Sequence, residues 1–92
     1  MSTINITNIK KIHFIGVGGI GMSALARYFL HEGKKVSGSD RVKSNITEAL
    51  VKEGVEVFIP QVAGNISSDI DLVVYTEAMA KDHEEMLEAQ KL

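Results

Sequence analysis

The sequence predicts an α/β domain of three layers, in which a small and mainly parallel sheet of about four strands is flanked by helices. Two observations predict it. Short apolar runs of strand length alternate with longer segments whose apolar residues recur at helical spacing. The resulting order, β-α-β-α-β-β-α, is typical of parallel sheets with right-handed crossovers, and it indicates a Rossmann-like half. Ninety-two residues supply one small core, so all these elements belong to one domain.

The first strand and the first helix are separated by glycines. The run KIHFIGV, residues 11–17, is β-branched and aromatic, which suits a strand buried on both faces. From Ile20 onward the apolar residues lie on one face of a helix, and Gly33 provides a stop. The polar residues before this strand predict a flexible lead-in over residues 1–10, with the domain over residues 11–92.

A second strand and a second helix follow. The stretch KVSGSD, residues 35–40, reads as a short strand. The stretch SNITEALVKEG predicts a helix that begins at Ser44 or Asn45, either of which is a suitable cap, and that ends at Gly54.

The remaining elements are two strands and a final helix. VEVFI, residues 55–59, predicts a third strand that Pro60, the only proline, ends. DLVVYT, residues 71–76, is the most apolar of the predicted strands, and HEEMLEAQKL, from His83, begins another helix.

Composition and charge argue against several classes of protein. Ten basic and twelve acidic residues give a net charge of −2, so there is no basic surplus for a nucleic-acid backbone. The absence of cysteine excludes disulfides and thiolate chemistry. No apolar run reaches membrane length and the start lacks the apolar core of a secretory signal, so we expect a soluble, cytoplasmic protein. The histidines and acids show no metal-ligand spacing, and we interpret His13 as a hydrogen-bonded structural residue.

The glycines between the first strand and the first helix carry a nucleotide-binding pattern. Gly16, Gly18 and Gly21 satisfy G-x-G-x-x-G, and Asp40 lies nineteen positions beyond Gly21, at the end of the second strand. We expect Gly16 to permit a sharp exit from the strand, Gly18 to let the backbone approach a diphosphate, and Gly21 to let the helix pack tightly on the strand.

The chemistry of this loop favours an anion. The first helical N–H groups, around Gly19 to Met22, have no intrahelical partner and lie at the positive end of the helix dipole. No lysine or arginine follows, so the loop is not a P-loop. Asp40 suits hydrogen bonds from ribose hydroxyls, although a solvated turn residue or a helix cap would also explain it. A dinucleotide, a nucleotide-sugar phosphate and a tight turn without ligand all remain open at this point.

A longer pattern resembles one family. HFIGVGGIGMSALA, residues 13–26, followed by GSD, residues 38–40, closely resembles the opening of the Mur ligases, and the resemblance runs from about Lys11 to the end. Within that family, the Gly-Gly-x-Gly-Met-Ser loop favours the branch that joins L-alanine to UDP-N-acetylmuramate over the branch that attaches a recycled murein tripeptide.

This resemblance implies the N-terminal domain of a three-domain enzyme of peptidoglycan synthesis, which holds the UDP part of its substrate. In the full-length enzyme, ATP and Mg²⁺ act at sites outside this chain, and L-alanine then attacks the activated carboxylate. We therefore expect this chain alone to contain no catalytic residue, no cofactor and no metal, and to be inactive. The implied diphosphate contacts are Gly18, Gly19, Ile20, Gly21, Met22 and Ser23, the implied uridine contacts are Ser39 and Asp40, and Gly16 and Thr76 are further contacts.

The later part of the chain departs from the family pattern. Pro60 and Gln61 stand where the family often has Gly-His, and Glu77 would repel a phosphate placed beside it. The chain also ends where the family continues into another strand, so we expect a sheet without its last strand. The alternatives are an NAD(H)-binding regulatory or redox module, in which Asp40 binds the adenine ribose, and an interaction domain whose glycine loop is only structural.

Overall fold

The computed structural model describes residues 8–75 and 88–89, and within these ranges the predicted alternation of strands and helices is confirmed through the fourth strand. A 3₁₀ turn between the third and fourth strands was not predicted. Of the last predicted helix, only Glu88 and Ala89 are described, and both are helical. The elements are β1 (Lys11–Ile15), α1 (Ile20–His31), β2 (Lys35–Ser39), α2 (Asn45–Glu53), β3 (Glu56–Phe58), the 3₁₀ turn Ala63–Asn65 and β4 (Leu72–Val74).

The four described strands form one parallel sheet in the order β3-β2-β1-β4. From β1 the chain adds β2 and then β3 on one side, and then returns to pair β4 on the other side of β1. The strand order therefore reverses at β1, and His13 lies between Ser37 of β2 and Val73 of β4. In open parallel sheets, ligands bind outside the carboxyl ends of the strands at such a reversal, which here is where β1 leads into the glycines.

The strands are shorter than the sequence predicts. β1 ends at Ile15 because Gly16 takes a positive φ of 87°, which turns the backbone out of the sheet. β3 ends at Phe58, just before the cis peptide bond between Ile59 and Pro60. β4 covers only Leu72–Val74.

The main core lies between the sheet and the two helices. Ile12 and Phe14 of β1 are fully buried, and they belong to one apolar cluster with Phe29 of α1 and Leu50 of α2. The ring centroids of Phe14 and Phe29 are 6.3 Å apart. An ion pair of 2.7 Å between Arg27 and Glu53 links the two helices at the surface. The predicted apolar stripe of α1 is confirmed at Met22, Ala26 and Phe29, which are buried, but it is wrong at Ile20 and Leu25, which are exposed.

The opposite face of β1 is also buried, as predicted for this strand. His13 and Ile15 lie on that face with no solvent exposure. The His13 Nδ1 atom hydrogen-bonds the Ser37 hydroxyl at 2.8 Å, which confirms His13 as a hydrogen-bonded structural residue. Ala89, which is helical, lines a cavity together with Val73 of β4.

The helix ends follow the predicted signals. Ser44, and not Asn45, caps α2: its side chain accepts a hydrogen bond from the Thr47 N–H at 3.2 Å, and the Thr47 hydroxyl accepts one from the Ser44 N–H at 2.8 Å. Gly33 and Gly54 follow α1 and α2 with φ values of 83° and 113°, the left-handed conformation that a glycine stop provides. Neither described helix has the length and apolarity of a membrane span.

Gly38, in the middle of β2, is a packing requirement that sequence reasoning missed. A Cβ atom at this position would lie 2.5 Å from the Cβ atom of Val17, which is fully buried. The residue that leaves β1 therefore occupies the volume that a side chain on β2 would fill.

We expect Gly38→Ala to lower the free energy of unfolding by about 1–3 kcal/mol, because Val17 has no room to retreat. Urea denaturation measures this difference. Gly64→Ala is the matched control, because a Cβ there meets no heavy atom within 4 Å, and we expect a change within about 0.5 kcal/mol. Equal stability of the Gly38 variant and wild type would contradict the packing argument.

Stability in acid should depend on Asp71. Its carboxylate accepts hydrogen bonds from the backbone N–H groups of Lys10 at 2.8 Å and Lys11 at 2.9 Å, and these bonds hold the pKa of Asp71 below its ordinary value. A carboxyl with a lower pKa in the folded state adds stability above its unfolded pKa of about 4, and that stability is lost as the pH falls through the folded pKa.

We therefore expect Asp71→Asn to be less stable than wild type at pH 7, and this difference to shrink steadily from about pH 5 downwards. Urea midpoints across that range measure it. Val51→Ala, at an exposed residue that does not titrate, is the control, and its difference from wild type should be the same at every pH. A pH-independent difference for Asp71→Asn would show that its ionised form is not what stabilises the fold.

Candidate functional site

The loop that leaves β1 is held by the end of β2. The N–H groups of Gly16 and Val17 both donate to the carbonyl of Ser39, at 2.8 and 2.9 Å. The N–H of Gly19 donates back to the carbonyl of Gly16 at 3.2 Å. The positive φ of Gly16 makes this arrangement possible, which confirms the sharp exit predicted there.

The next residue of the loop is held by a side chain. The N–H of Gly18 donates to Oδ2 of Asp40 at 2.7 Å, and the second carboxylate oxygen accepts the N–H of Arg41, also at 2.7 Å. The N–H of Asp40 donates to the carbonyl of Phe58 in β3 at 3.1 Å. The structure thus brings Asp40 to the glycine loop, as the spacing suggested, but its carboxylate is already engaged by two backbone N–H groups.

The first turn of α1 contains backbone N–H groups that form no hydrogen bond within the described structure. Gly19 is the N-cap and offers no side chain, and the first helical bond runs from the N–H of Ser23 to the carbonyl of Gly19 at 2.8 Å. The N–H groups of Ile20, Gly21 and Met22 have no acceptor among the residues that the structure describes. These three donors lie together at the positive end of the helix dipole, an arrangement suited to an anion.

Two of the three donors belong to exposed residues. Gly19, Ile20 and Gly21 are exposed, and the Ile20 side chain, at 83% exposure, projects from the first turn. Met22 is buried and belongs to the apolar core, so its side chain anchors the turn from inside.

Ser23 is placed differently from the other predicted diphosphate contacts. It is buried, its hydroxyl donates to the carbonyl of Ile20 at 3.0 Å, and its N–H is part of the helix. The N–H groups of Gly18 and Gly19 are likewise bonded, to the Asp40 carboxylate and to the Gly16 carbonyl. The sequence pattern alone does not distinguish bonded donors from unbonded ones, because the distinction depends on where β2 ends relative to the loop.

Two glycines of the motif have different structural reasons. A Cβ at Gly18 would lie 2.5 Å from Oδ2 of Asp40 and 3.2 Å from Cγ2 of Thr47, so the fold itself requires glycine there. A Cβ at Gly21 meets no heavy atom within 4 Å. The expectation that Gly21 lets α1 pack tightly on β1 is therefore wrong, since the close approach between these parts of the chain occurs at Gly38.

The remaining predicted contacts lie along the same edge or outside the described residues. Ser39 is fully buried, and its carbonyl is the acceptor that holds the loop. Gln61, after β3, is buried, and its Oε1 atom has no hydrogen-bond partner among the residues that the structure describes. Thr76 and Glu77 lie outside the described residues. Within the part that is described, no group of three or more histidines and acids is placed to hold a metal ion.

Comparisons with known proteins point in one direction. A family model described as "Mur ligase family, catalytic domain" matches residues 11–92. The UDP-N-acetylmuramate--L-alanine ligase of Clostridium kluyveri is 58% identical over 83 residues, which are 90% of this chain and 18% of that protein. The corresponding ligase of Lachnospira eligens is 50% identical over 91 residues, 99% of this chain and 20% of that protein.

A solved structure agrees. The crystal structure of UDP-N-acetylmuramate-alanine ligase MurC from Thermotoga maritima superposes with a TM-score of 0.84 at 42% sequence identity, covering 88% of this chain and 19% of that one. This chain thus spans about a fifth of the length of the relatives that it matches.

The contact between Gly18 and Asp40 gives a test in two variants. We expect Gly18→Ala to lower the free energy of unfolding by about 1–3 kcal/mol, because the new methyl group collides with the Asp40 carboxylate. In an Asp40→Ala background the same substitution should cost at least about 1 kcal/mol less, since its main collision partner is gone.

Urea denaturation of the four proteins in this cycle measures the coupling. Gly21→Ala is the control within the same motif, and because a methyl group there meets open space, we expect a change of less than about 1 kcal/mol. Additive effects of the Gly18 and Asp40 substitutions would show that the two residues do not constrain each other.

Proposed function

Because this chain belongs to the Mur ligase family, we propose that it binds the UDP part of UDP-N-acetylmuramate, as the N-terminal domain of the ATP-dependent ligase that joins L-alanine to this precursor in peptidoglycan synthesis. One observation carries the proposal: the unbonded N–H groups of Ile20, Gly21 and Met22 lie together at the point where the strand order reverses.

The diphosphate would bind at this first turn of α1. Three backbone donors and the helix dipole offset its negative charge without any lysine or arginine in the loop. Gly19 and Gly21 leave the approach open, since a Cβ at Gly19 would make only ordinary contacts of 3.6 Å or more and one at Gly21 none. Of the predicted diphosphate contacts, Gly18 and Ser23 would shape the turn, because their N–H groups are bonded within the chain.

The uridine would lie toward the end of β2. Asp40 is half-buried there, and each of its carboxylate oxygens accepts one N–H group while retaining a lone pair for a ribose hydroxyl. Ser39 contributes from beneath, by holding the loop through its carbonyl. Thr76 remains a further predicted contact of the ligand.

The chemistry of ligation would be carried out by groups outside these residues. The glycines are not followed by Gly-Lys-Thr, and the described residues offer no cluster of carboxylates for Mg²⁺, so they do not fit an ATP and Mg²⁺ site. What this chain would contribute is binding energy from a part of the substrate that does not react, which positions the reacting carboxylate. With this function, the protein would act in the cytoplasm.

Titration of the 92-residue chain tests the proposal. We expect UDP-N-acetylmuramate and UDP to move the backbone amide resonances of Ile20, Gly21 and Met22 most strongly, because these N–H groups gain an anionic acceptor. The amide of Gly64, in the turn between β3 and β4, serves as an internal reference that should stay in place.

NAD is the discriminating competitor. A domain specific for a UDP-sugar should bind UDP in the presence of excess NAD, whereas an NAD(H)-binding module would show the opposite preference. A folded chain whose Ile20–Met22 amides do not respond to saturating UDP-N-acetylmuramate would contradict the proposal, and a response to neither ligand would favour an interaction domain with a structural loop.

A further inference from the structure

Among the acceptors of the N–H groups of Gly16 to Gly19 in the described structure, Asp40 is the one side chain. The N–H groups of Gly16, Val17 and Gly19 all donate to backbone carbonyls, whereas the N–H of Gly18 donates to the Asp40 carboxylate at 2.7 Å. A side-chain substitution at Ser39 or Gly16 does not remove the backbone carbonyl that accepts these hydrogen bonds. Only a change at Asp40 removes an acceptor that the loop uses.

The carboxylate is itself fixed from several sides. The N–H of Asp40 is bonded to Phe58 of β3, and its Oδ1 atom accepts the N–H of Arg41 at 2.7 Å. Thr47, whose hydroxyl is bonded into the cap of α2, lies against the same point, because a Cβ at Gly18 would be 3.2 Å from its methyl group. Asp40 therefore connects the glycine loop to β3, and Thr47 of α2 limits the space at Gly18.

We propose that Asp40 is a positioning residue that couples the nucleoside to the diphosphate: it holds Gly18, and so orients the Ile20–Met22 donors, while the remaining lone pairs of its carboxylate accept the ribose. This proposal rests on the proposed function, since it concerns the same ligand. Its consequence is that Asp40 contributes to diphosphate binding without touching the diphosphate.

Two effects of the carboxylate have opposite signs, which makes the proposal testable. As a negative charge beside the anion site, Asp40 repels a diphosphate, so its removal should strengthen the binding of a diphosphate alone. As the acceptor that holds Gly18, it keeps the three donors in place, so its removal should weaken that binding. Asp40→Asn removes only the charge, whereas Asp40→Ala removes the charge and the acceptor, so weaker pyrophosphate binding in the Ala variant than in the Asn variant identifies the positioning effect.

The experiment compares three probes on the full 92-residue chain: inorganic pyrophosphate, uridine and UDP. We expect Asp40→Ala to lose about tenfold in affinity for pyrophosphate, the effect of one lost hydrogen bond to a charged group. Asp40→Asn should retain the pyrophosphate affinity of wild type or exceed it, because its amide oxygen still accepts the Gly18 N–H while the charge is gone. Uridine should bind both variants more weakly.

The amide of Gly18 gives a readout that general destabilisation does not move. In wild type and in Asp40→Asn its N–H should be protected from hydrogen exchange, and in Asp40→Ala this protection should be lost while the amides of β1 keep theirs. Asp40→Glu serves if Asp40→Ala does not fold: it retains the charge, but its longer side chain displaces the carboxylate from Gly18, so pyrophosphate binding should again weaken. Glu48→Ala, which removes an exposed charge from the first turn of α2, should leave all three affinities unchanged.

The outcomes separate the two proposals. Wild-type affinity or tighter binding of pyrophosphate in both Asp40→Ala and Asp40→Glu would overturn the positioning role and leave UDP binding intact. A wild-type chain that binds neither pyrophosphate nor UDP would overturn the proposed function, and the coupling with it.

Discussion

The carboxyl edge of this sheet depends on the close approach between the loop after β1 and the end of β2. Three successive N–H groups, those of Gly16, Val17 and Gly18, find their acceptors on only two residues, Ser39 and Asp40. Backbone polar groups that leave a buried strand require such acceptors, since unpaired they would cost the free energy of a lost hydrogen bond. The approach leaves no space for side chains at two points, so Gly18 and Gly38 are both needed for reasons internal to the fold: a Cβ at either would come within 2.5 Å of a neighbouring side chain.

The candidate anion site also results from which backbone N–H groups have acceptors. Once the loop has bonded its N–H groups as far as Gly19, the α-helix that begins at Ile20 leaves its first N–H groups without partners, because their acceptors would lie one turn earlier. Elsewhere a serine or aspartate side chain satisfies such donors, as Ser44 does for α2. At α1 the cap is Gly19, which has no side chain to offer. The helices α1 and α2 therefore differ in their N-cap residue. Ser44 satisfies donors at the start of α2, whereas the start of α1 is left for an anion from outside the chain.

Most of the fold could be predicted from the sequence, because local signals determine it. Gly33 and Gly54 end helices through their own conformational freedom, Ser44 caps through its own hydroxyl, and the apolar periods select strand or helix. What could not be predicted depends on contacts between distant parts of the chain. In the sequence Gly38 looks like an ordinary strand residue, and only the structure shows that Val17 packs against it. The motif predicts that Gly21 is needed for packing, whereas a Cβ there would meet open space. The spacing of Asp40 predicted that it would reach the loop, but only the structure shows that its carboxylate is bonded to Gly18.

A site built from backbone donors suits a part of the substrate that does not change during the reaction. In the proposed function the diphosphate is the same before and after L-alanine is joined, so contacts to it stabilise the substrate and the transition state alike. Uniform binding of this kind accelerates chemistry only through the orientation that it imposes on the reacting groups. For this purpose, a fixed orientation of the diphosphate matters more than tight binding. Neutral N–H groups, fixed by the start of α1 and by Asp40, supply direction with a smaller electrostatic attraction than lysine or arginine would add. The restraint on the loop is, in this sense, as important to the proposed role as the donors themselves.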